Sequence, residues 1–454
     1  MAIAFLSGLF LGACHWTIAP KGEPAERAKA TAAEGVFAIP VNKRPLRDLA
    51  TSAPLPAVLE YAFNNNGDIE AAYREWRAAI ERVPQAGALP DPRLDFSVMF
   101  GADSLKSFSS FLQGIRLMAA QDFPGRGKRK TRAELAFEEA QAAGERFRAA
   151  KYRLQKQVVQ AYADVTLNEA LLRQTSETLR LLREAHDVAV HRFHAMNEKG
   201  LGEDLSDLRK IEVEIQTIES EQRSLNIMRS KQQAELNGAL NRPADAVLGA
   251  LIFPAIQRPP DSDADLFARA AQHNPELAAL RKEIEARGAA QVLAELEKRP
   301  DYSLGGGIES LSLVLSGGLT LPANRARIRA AIAEALAMRQ VAEARFRAAS
   351  ADVQTRVVMA LAGIRDAERV LADYRERIVP KTRELLQTQI TTYGSGGGDL
   401  LDILDTQRLL VDFQKIVLRA EADRLRFLAE LEEVIGDDLF SFIPAVQKSP
   451  ETNP

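Results

Sequence analysis

Two long stretches of the chain repeat similar residues every seven positions, and most of those residues are apolar. The first series is Val158, Val165, Leu172, Leu179, His186 and Phe193, and the second is Val357, Ile364, Leu371, Ile378, Leu385 and Thr392. A sustained seven-residue period is typical of helices that pack along their length in a left-handed supercoil. We therefore predict two very long helices, at about 129–197 and 325–393, each on the order of 100 Å at 1.5 Å per residue. Pro380 lacks a backbone donor and should kink the second helix.

Other elements surround each long helix in the same order. An earlier helix is predicted at about 58–84 and again at about 263–297, and a returning helix at about 204–240 and 399–436. Between the earlier helix and the long one, short alternating segments predict two strands per copy, at about 93–101 and 111–122, then 302–308 and 311–321. The second pair is short and rich in glycine.

The chain is therefore one architectural unit written twice, with the stretch Val58–Ile69 echoed by Leu266–Leu277. Predicted boundaries follow from this duplication. They are a signal peptide at 1–13, an extended lipid-anchored segment at 14–54, a first repeat at 55–245, a linker at 246–262, a second repeat at 263–436 and a flexible tail at 437–454. The predicted fold is mostly α with a small β part.

Composition narrows the class of protein. The 454 residues carry a net charge of only −3, which gives no electrostatic reason to expect nucleic acid as a partner. No Ser/His/Asp set or paired carboxylate suggests catalysis, so we predict neither an enzyme nor a cofactor. His186, His191 and His194 lie on one helix without a cysteine or carboxylate cluster, and we predict no metal site there.

The N-terminus carries an export pattern. The apolar run Ile3–Ala13 is too short to span a bilayer and is typical of a signal-peptide core. It ends at Cys14, the only cysteine, and Leu11-Gly12-Ala13-Cys14 resembles a bacterial lipobox, which implies cleavage before Cys14 and its acylation. No Lys or Arg precedes the run, so we expect the natural start to lie upstream.

Any membrane crossing elsewhere must be made by β-strands, because only helices and closed barrels satisfy their backbone groups in lipid. Four strands cannot close a membrane barrel, which needs about eight or more. The protein must then be an oligomer, and two, three or four chains all remain possible on this arithmetic.

Two motifs carry a family resemblance. The segment 121–129 (QDFPGRGKR) and the segment 393–407 (YGSGGGDLLDILDTQ), within a duplicated hairpin behind a lipobox, resemble the TolC-type outer-membrane efflux proteins of the lipoprotein branch. The resemblance covers nearly the whole mature chain. It implies a homotrimer in which a helical α-barrel tunnel continues into a 12-strand β-barrel in outer-membrane lipid. It further implies a periplasmic adaptor protein and an inner-membrane pump of the RND type as partners.

The same resemblance implies site residues. Adaptor contacts fall on the two hairpin tips, which comprise Gly200, Leu201, Gly202, Gly394, Ser395, Gly396 and Gly397. Candidates for a periplasmic mouth or gate are Asp204, Asp207, Asp399, Asp402 and Asp405. Each set has a purely structural alternative, because tight turns need glycine and early-helix acids favour the helix dipole. The basic residues after Pro124 are expected at the barrel rim, facing headgroups or carbonyl groups.

The predicted function is a passive export duct for small solutes, either drugs or metal ions. Two alternatives stay open at this point. One is the exit duct of a type I protein-secretion system, and the other is a periplasmic coiled-coil structural protein that forms no pore.

Overall fold

A computed structural model describes residues 17–51, 53–98, 115–195, 201–254, 262–309, 312–394 and 399–439. Side chains within these ranges are described except those at 115, 192–195, 201–207, 394 and 400. The chain forms two compact units. The first comprises Met1–Gly35, Ala71–Arg148 and Pro275–Ala351, and the second comprises Val36–Glu70, Ala149–Asn274 and Asp352–Pro454.

The order of elements repeats as the sequence predicts. The first copy contains α2 (Leu55–Asn65), α3 (Gly67–Gly87), β1 (Arg93–Val98), β2 (Ile115–Phe123), α4 (Lys128–Ala195) and α5 (Leu201–Ala239), after an N-terminal helix α1 (Glu23–Ala32). The second contains α6 (Asp263–His273), α7 (Pro275–Leu296), β3 (Asp301–Glu309), β4 (Ser312–Thr320), α8 (Arg325–Val370), α9 (Val379–Gly394) and α10 (Leu400–Ile435). Within the residues that the structure describes, no helix is both long and apolar enough to traverse a bilayer.

The four strands form one antiparallel sheet in the order β1-β2-β3-β4. The predicted strands are thus confirmed, although 99–101 and 111–114 lie outside the described residues. The prediction that the second strand pair is short was wrong, because β3 and β4 have nine residues each. Their glycines keep an extended backbone and do not end the strands.

The two long helices differ. Helix α4 runs for 68 residues, whereas the second rod changes geometry after α8. Between α8 and α9 lies an eight-residue π-helical segment, Leu371–Ile378, which we call the π segment. The irregularity that we predicted at Pro380 therefore takes the form of a π-helical stretch just before the proline.

Each predicted early helix is in fact two helices, divided at equivalent asparagines. Asn66 ends α2 and donates through Nδ2 to the carbonyl of Ala239, and Asn274 ends α6 and donates in the same way to Val434. Both asparagines are buried, and each binds the last turn of its own copy's returning helix. These matched contacts show that the duplication extends to individual hydrogen bonds.

The N-terminal segment and the start of the tail are more ordered than predicted. Residues 17–51, which we expected to be extended, contain α1, because Pro24 and two acidic residues favour a helix N-terminus there. Helix α1 packs in the first unit, where Glu26 accepts a hydrogen bond from Trp76 at 3.0 Å. Asp437, at the start of the predicted flexible tail, pairs with Arg269 in the second unit.

Candidate functional site: a two-faced sheet and a linked helical hairpin

The sheet has one apolar face and one polar face. Directly paired residues of an antiparallel sheet point to the same side, so the strand register assigns every residue to a face. We call one side the apolar face, and it carries Leu94, Phe96, Leu117, Phe123, Tyr302, Leu304, Ile308, Leu313, Leu315 and Leu319. The sequence predicted alternation in these segments but not how far it extends across the sheet.

The apolar face is exposed, which reverses the usual arrangement of a sheet in water. Leu94 is 70% exposed, Leu313 74% and Leu315 81%. A water-soluble antiparallel sheet normally buries its apolar side, and a large exposed apolar patch marks a binding or membrane surface. The chain by itself therefore leaves a surface that needs an apolar environment.

The other side, which we call the polar face, carries charges that pair across strands. Arg93 Nη2 lies 2.8 Å from Asp122 Oδ2, and Arg116 Nε lies 3.9 Å from Glu309 Oε2. Residues of β3 on this face are less exposed than their neighbours on the apolar face. In β3, the polar side is thus shielded more than the apolar side.

Glycines bring strands together on the polar face. A Cβ atom at Gly307 would lie 2.0 Å from the carbonyl oxygen of Leu117, and one at Gly318 would lie 2.2 Å from Ser303 Oγ. On the apolar face, by contrast, a Cβ atom at Gly317 would meet nothing within 4 Å. The crowded glycines are therefore required for strand packing, whereas Gly317 has free space beside it.

Hydrogen bonds within the chain stabilise the junction between strand β2 and long helix α4. Asp301 Oδ1 accepts hydrogen bonds from the backbone N–H of Gly125 at 2.6 Å and from Lys128 Nζ at 3.0 Å. Lys128 is buried, and Arg129 donates to the carbonyl of Gly87 at 2.9 Å. We expected these basic residues to meet headgroups or carbonyl groups, and Arg129 does bind a carbonyl group, whereas Lys128 binds the carboxylate of Asp301.

The second unit links the two hairpins through a ladder of ion pairs, which we call the ladder. Arg408 Nη2 of α10 lies 2.7 Å from Glu214 Oε2 of α5, and one heptad further along Lys415 Nζ lies 2.7 Å from Glu221 Oε1. The hydrogen bond with Glu214 raises the pKa of Arg408. Flanking charges at heptad spacing typically fix the partner and alignment of packed helices.

An apolar cluster lies beside the ladder in the same unit. It comprises Leu179, Leu182, Ile211, Ile218 and Leu404, with Leu401 packed against it. The cluster draws on three helices, α4, α5 and α10. The apolar cluster and the ladder therefore both contribute to holding the second hairpin to the first, and Lys156 of α4 adds an ion pair with Glu433 of α10 at 2.8 Å.

The ion pairs of the ladder were not predicted from the sequence. Its signal is visible as acids at 214 and 221 facing bases at 408 and 415, each pair separated by seven residues. Recognising it requires knowing which turns of α5 and α10 lie at the same level, and this depends on the tertiary structure.

The predicted mouth aspartates are in different environments. Asp399 caps α10, because its side chain accepts from the backbone N–H of Leu401 at 3.0 Å. Asp402 is exposed in the first turn, and Asp405 lies 3.1 Å from Arg408 Nη1, which connects it to the ladder. The side chains of Asp204 and Asp207 lie outside the described residues.

The predicted hairpin tips and anchor are largely outside the described part of the chain. This applies to Cys14, Gly200, Ser395, Gly396 and Gly397. Leu201 and Gly202 begin α5 and Gly394 ends α9, but their side chains are not described. Their roles stay predictions.

The histidines give no metal centre among the described residues. His186 Nε2 lies 3.9 Å from Glu212 Oε1 and its Nδ1 lies 3.6 Å from Asp187 Oδ1. His191 is exposed, and the side chain of His194 is outside the description.

The fold consists of two copies of a long helical hairpin and a small sheet with one apolar and one polar face. Solved structures share this fold. VceC, an outer membrane protein of Vibrio cholerae, matches with a TM-score of 0.70 at 17% identity, covering 84% of this chain and 96% of its own. The MtrE outer membrane channel of Neisseria gonorrhoeae matches at 0.71 and 17%, covering 85% and 89%. The CmeC outer membrane channel of Campylobacter jejuni matches at 0.68 and 13%, covering 84% and 85%.

Residues 58–195 also match the family model for the outer membrane efflux protein. A comparison with curated protein sequences finds no match. The match to the outer membrane efflux protein model covers residues 58–195, and the solved structures share the fold of most of the chain. The family model and the solved structures that the chain matches are those of outer membrane proteins, and two of these structures are channels.

Proposed function

We propose that this chain is a subunit of an outer-membrane export duct for small solutes. The observation that carries the proposal is the sheet, whose exposed apolar face lies opposite a face with cross-strand ion pairs. In a membrane barrel, side chains alternate between lipid and an aqueous lumen in this way. Strands β3 and β4, with nine residues each, have about the length that a tilted membrane strand needs.

Closure of the sheet requires several chains. Strands β1 and β4 are the edges of the sheet, and an open edge is not tolerated in lipid, because its backbone groups stay unsatisfied. Four strands per chain give twelve in a trimer, which is the number that we carry over from the family resemblance. The two edges would then pair between neighbouring subunits and form a 12-strand barrel.

The helical hairpins would continue this barrel as a periplasmic tunnel. On the proposed trimer, the six long and six returning helices would pack into an α-barrel whose tips reach a periplasmic adaptor and, through it, an inner-membrane pump of the RND type. Acylated Cys14 would add a lipid anchor. The duct itself would do no chemistry and would conduct solute passively.

Two experiments test the proposal. Sucrose-gradient fractionation should place the protein with the outer membrane, and the purified protein should form ion-conducting pores in planar lipid bilayers. A water-soluble periplasmic trimer without pore activity would instead identify a coiled-coil structural protein.

The cargo needs a separate test. A deletion strain should become more sensitive to small toxic solutes, including drugs, detergents or metal ions. Loss of a secreted protein without any change in solute sensitivity would favour the type I secretion alternative.

A further inference from the structure

The apolar stripe of the second rod shifts by one residue along its length. On the N-terminal side of the π segment, the buried residues Val353, Val357, Ala360, Ile364 and Ala367 recur at alternating steps of four and three, and Leu361 is buried next to Ala360. On the C-terminal side of the π segment, the least exposed positions are Val379, Thr382, Leu386, Gln389 and Tyr393, again at steps of three and four. The sequence had predicted Ile378, Leu385 and Thr392 for the lower stripe, so each observed position falls one residue later.

The π segment accounts for this shift. The backbone N–H of Val379 donates to the carbonyl of Tyr374, five residues earlier, where an α-helix would use the fourth. Pro380 favours this geometry, because it has no N–H to donate and its ring crowds the carbonyl four residues before it. The segment accommodates one extra residue. The residues on its C-terminal side are therefore rotated about the helix axis by about 100° relative to a continuous α-helix with 3.6 residues per turn.

The lower helix carries side chains that suit both alignments. Ile378 precedes Val379, Leu385 precedes Leu386, and Thr392 precedes Tyr393. One member of each pair lies on the stripe that a continuous α-helix would present to its neighbours, and the other lies on the stripe that is observed. In the observed state Leu386 is half-buried, whereas Leu385 is 51% exposed.

Packing is close above the π segment and looser within it. A Cβ atom at Gly363 would lie 2.6 Å from the ring of Phe427, so α8 and α10 approach closely there. Within the π segment no residue is fully buried, and an edge-to-face contact between Tyr374 and Phe413, with ring centroids 5.6 Å apart, joins it to α10. The π segment is therefore less tightly packed than the residues on either side of it, where Gly363 approaches Phe427 and Val379 is buried.

Ion pairs connect charged residues that lie one turn apart along the π segment. Asp373 Oδ2 lies 3.2 Å from Arg369 Nη1, one turn before, and Asp373 also pairs with Arg377, one turn after. Pairs at this spacing stabilise helical geometry on either side of an irregularity. They allow the helix to stay continuous while its hydrogen-bond pattern changes.

We propose that Leu371–Ile378 is a two-state switch of helix alignment. In the observed state the extra residue is held in the π segment and Leu386 faces the packed side. In the second state the segment becomes α-helical, α9 rotates by about 100° about its axis, and Leu385 takes the place of Leu386. The switch rotates the side chains next to the second hairpin tip, and its role in opening a duct rests on the proposed function.

Paired cysteine variants test the switch in the membrane-assembled protein. L385C and L386C are each made in the wild-type background, in P380A and in the control K381A, and all are labelled with a water-soluble maleimide. The unmodified protein, labelled in parallel, reports any signal from Cys14. P380A restores a backbone donor, whereas K381A changes the adjacent residue without affecting the backbone.

We expect residue 385 to label faster than residue 386 in the wild type and in K381A, and this order to invert or equalise in P380A. Labelling at 378 and 379 should change in the same sense. An order at 385 and 386 that is the same in P380A and K381A would overturn the switch. If P380A does not assemble, deletion of Ala372 removes the extra residue directly and carries the same two outcomes.

Bilayer conductance of the same variants separates the switch from the proposed function. An inverted labelling order in a protein that forms no pore would leave the switch standing and refute the duct. A conducting protein whose labelling order never changes would do the opposite.

Discussion

A single lysine placed on either side of β4 distinguishes a membrane sheet from a soluble one. Leu315 lies on the apolar face and is 81% exposed, while the adjacent Ser316 is exposed on the polar face. We predict that L315K prevents stable membrane assembly and that S316K does not. The two variants add the same charge to neighbouring positions of the same strand, so each is the control for the other.

The magnitude follows from the position of Leu315. A lysine on the lipid face costs about 2–4 kcal/mol at the bilayer midplane and falls to about 0–1 kcal/mol near the interfaces. Leu315 pairs with Gly306 near the middle of both nine-residue strands, so the upper part of this range applies. In a trimer the change occurs three times, which gives roughly 6–12 kcal/mol if the three sites are independent. That is comparable to the whole stability of many domains.

The assay is the free energy of unfolding in guanidinium, measured on protein assembled in lipid vesicles, together with the fraction of protein recovered in the outer membrane. L315K should lose most of both, and S316K should stay close to the wild type, because its charge enters water. Equal loss in both variants would show that the effect is one of folding and not of lipid. An unchanged L315K would refute the assignment of the apolar face to a membrane.

Three further predictions concern the second unit and the strand packing. Replacing Glu214 by Gln should loosen the hairpins and raise pore conductance, and the charge exchange E214R with R408E should restore part of the wild-type value. Burial opposes ionisation of Asp437, but its arginine and histidine partners outweigh burial and lower its pKa, so D437N should destabilise the protein at neutral pH. Because a lowered folded-state pKa gives stability that is lost as pH falls through it, the difference from the wild type in thermal unfolding should vanish in acid. G307A should impair strand assembly and G317A should not, as heat resistance of the trimer on gels would report.

The sequence predicted the long helices and the strands but not all of their contacts. Period-seven and period-two patterns are local, so they located both rods and all four strands. The faces of the sheet followed only when strand pairing was known, since β2 and β3 are neighbours in space but are separated by four helices in the chain. The breaks at Asn66 and Asn274 depend on carbonyl groups far along the chain, which no local pattern reports.

The C-terminal part of the second long helix shows a different limit of prediction from sequence. Its prediction named the correct helix and the correct period, yet placed Leu385 where the structure has Leu386. The period is visible in the order of the side chains, whereas their alignment is set by backbone hydrogen bonds. The bond from the N–H of Val379 to the carbonyl group five residues earlier moves every later side chain by one position without altering the period. The proline that favours this geometry is visible in the sequence, but it predicts only that the helix is disturbed. Since adjacent apolar residues satisfy either alignment, packing energy alone decides between them only weakly. The same ambiguity that misled the prediction is what would let the helix occupy two states.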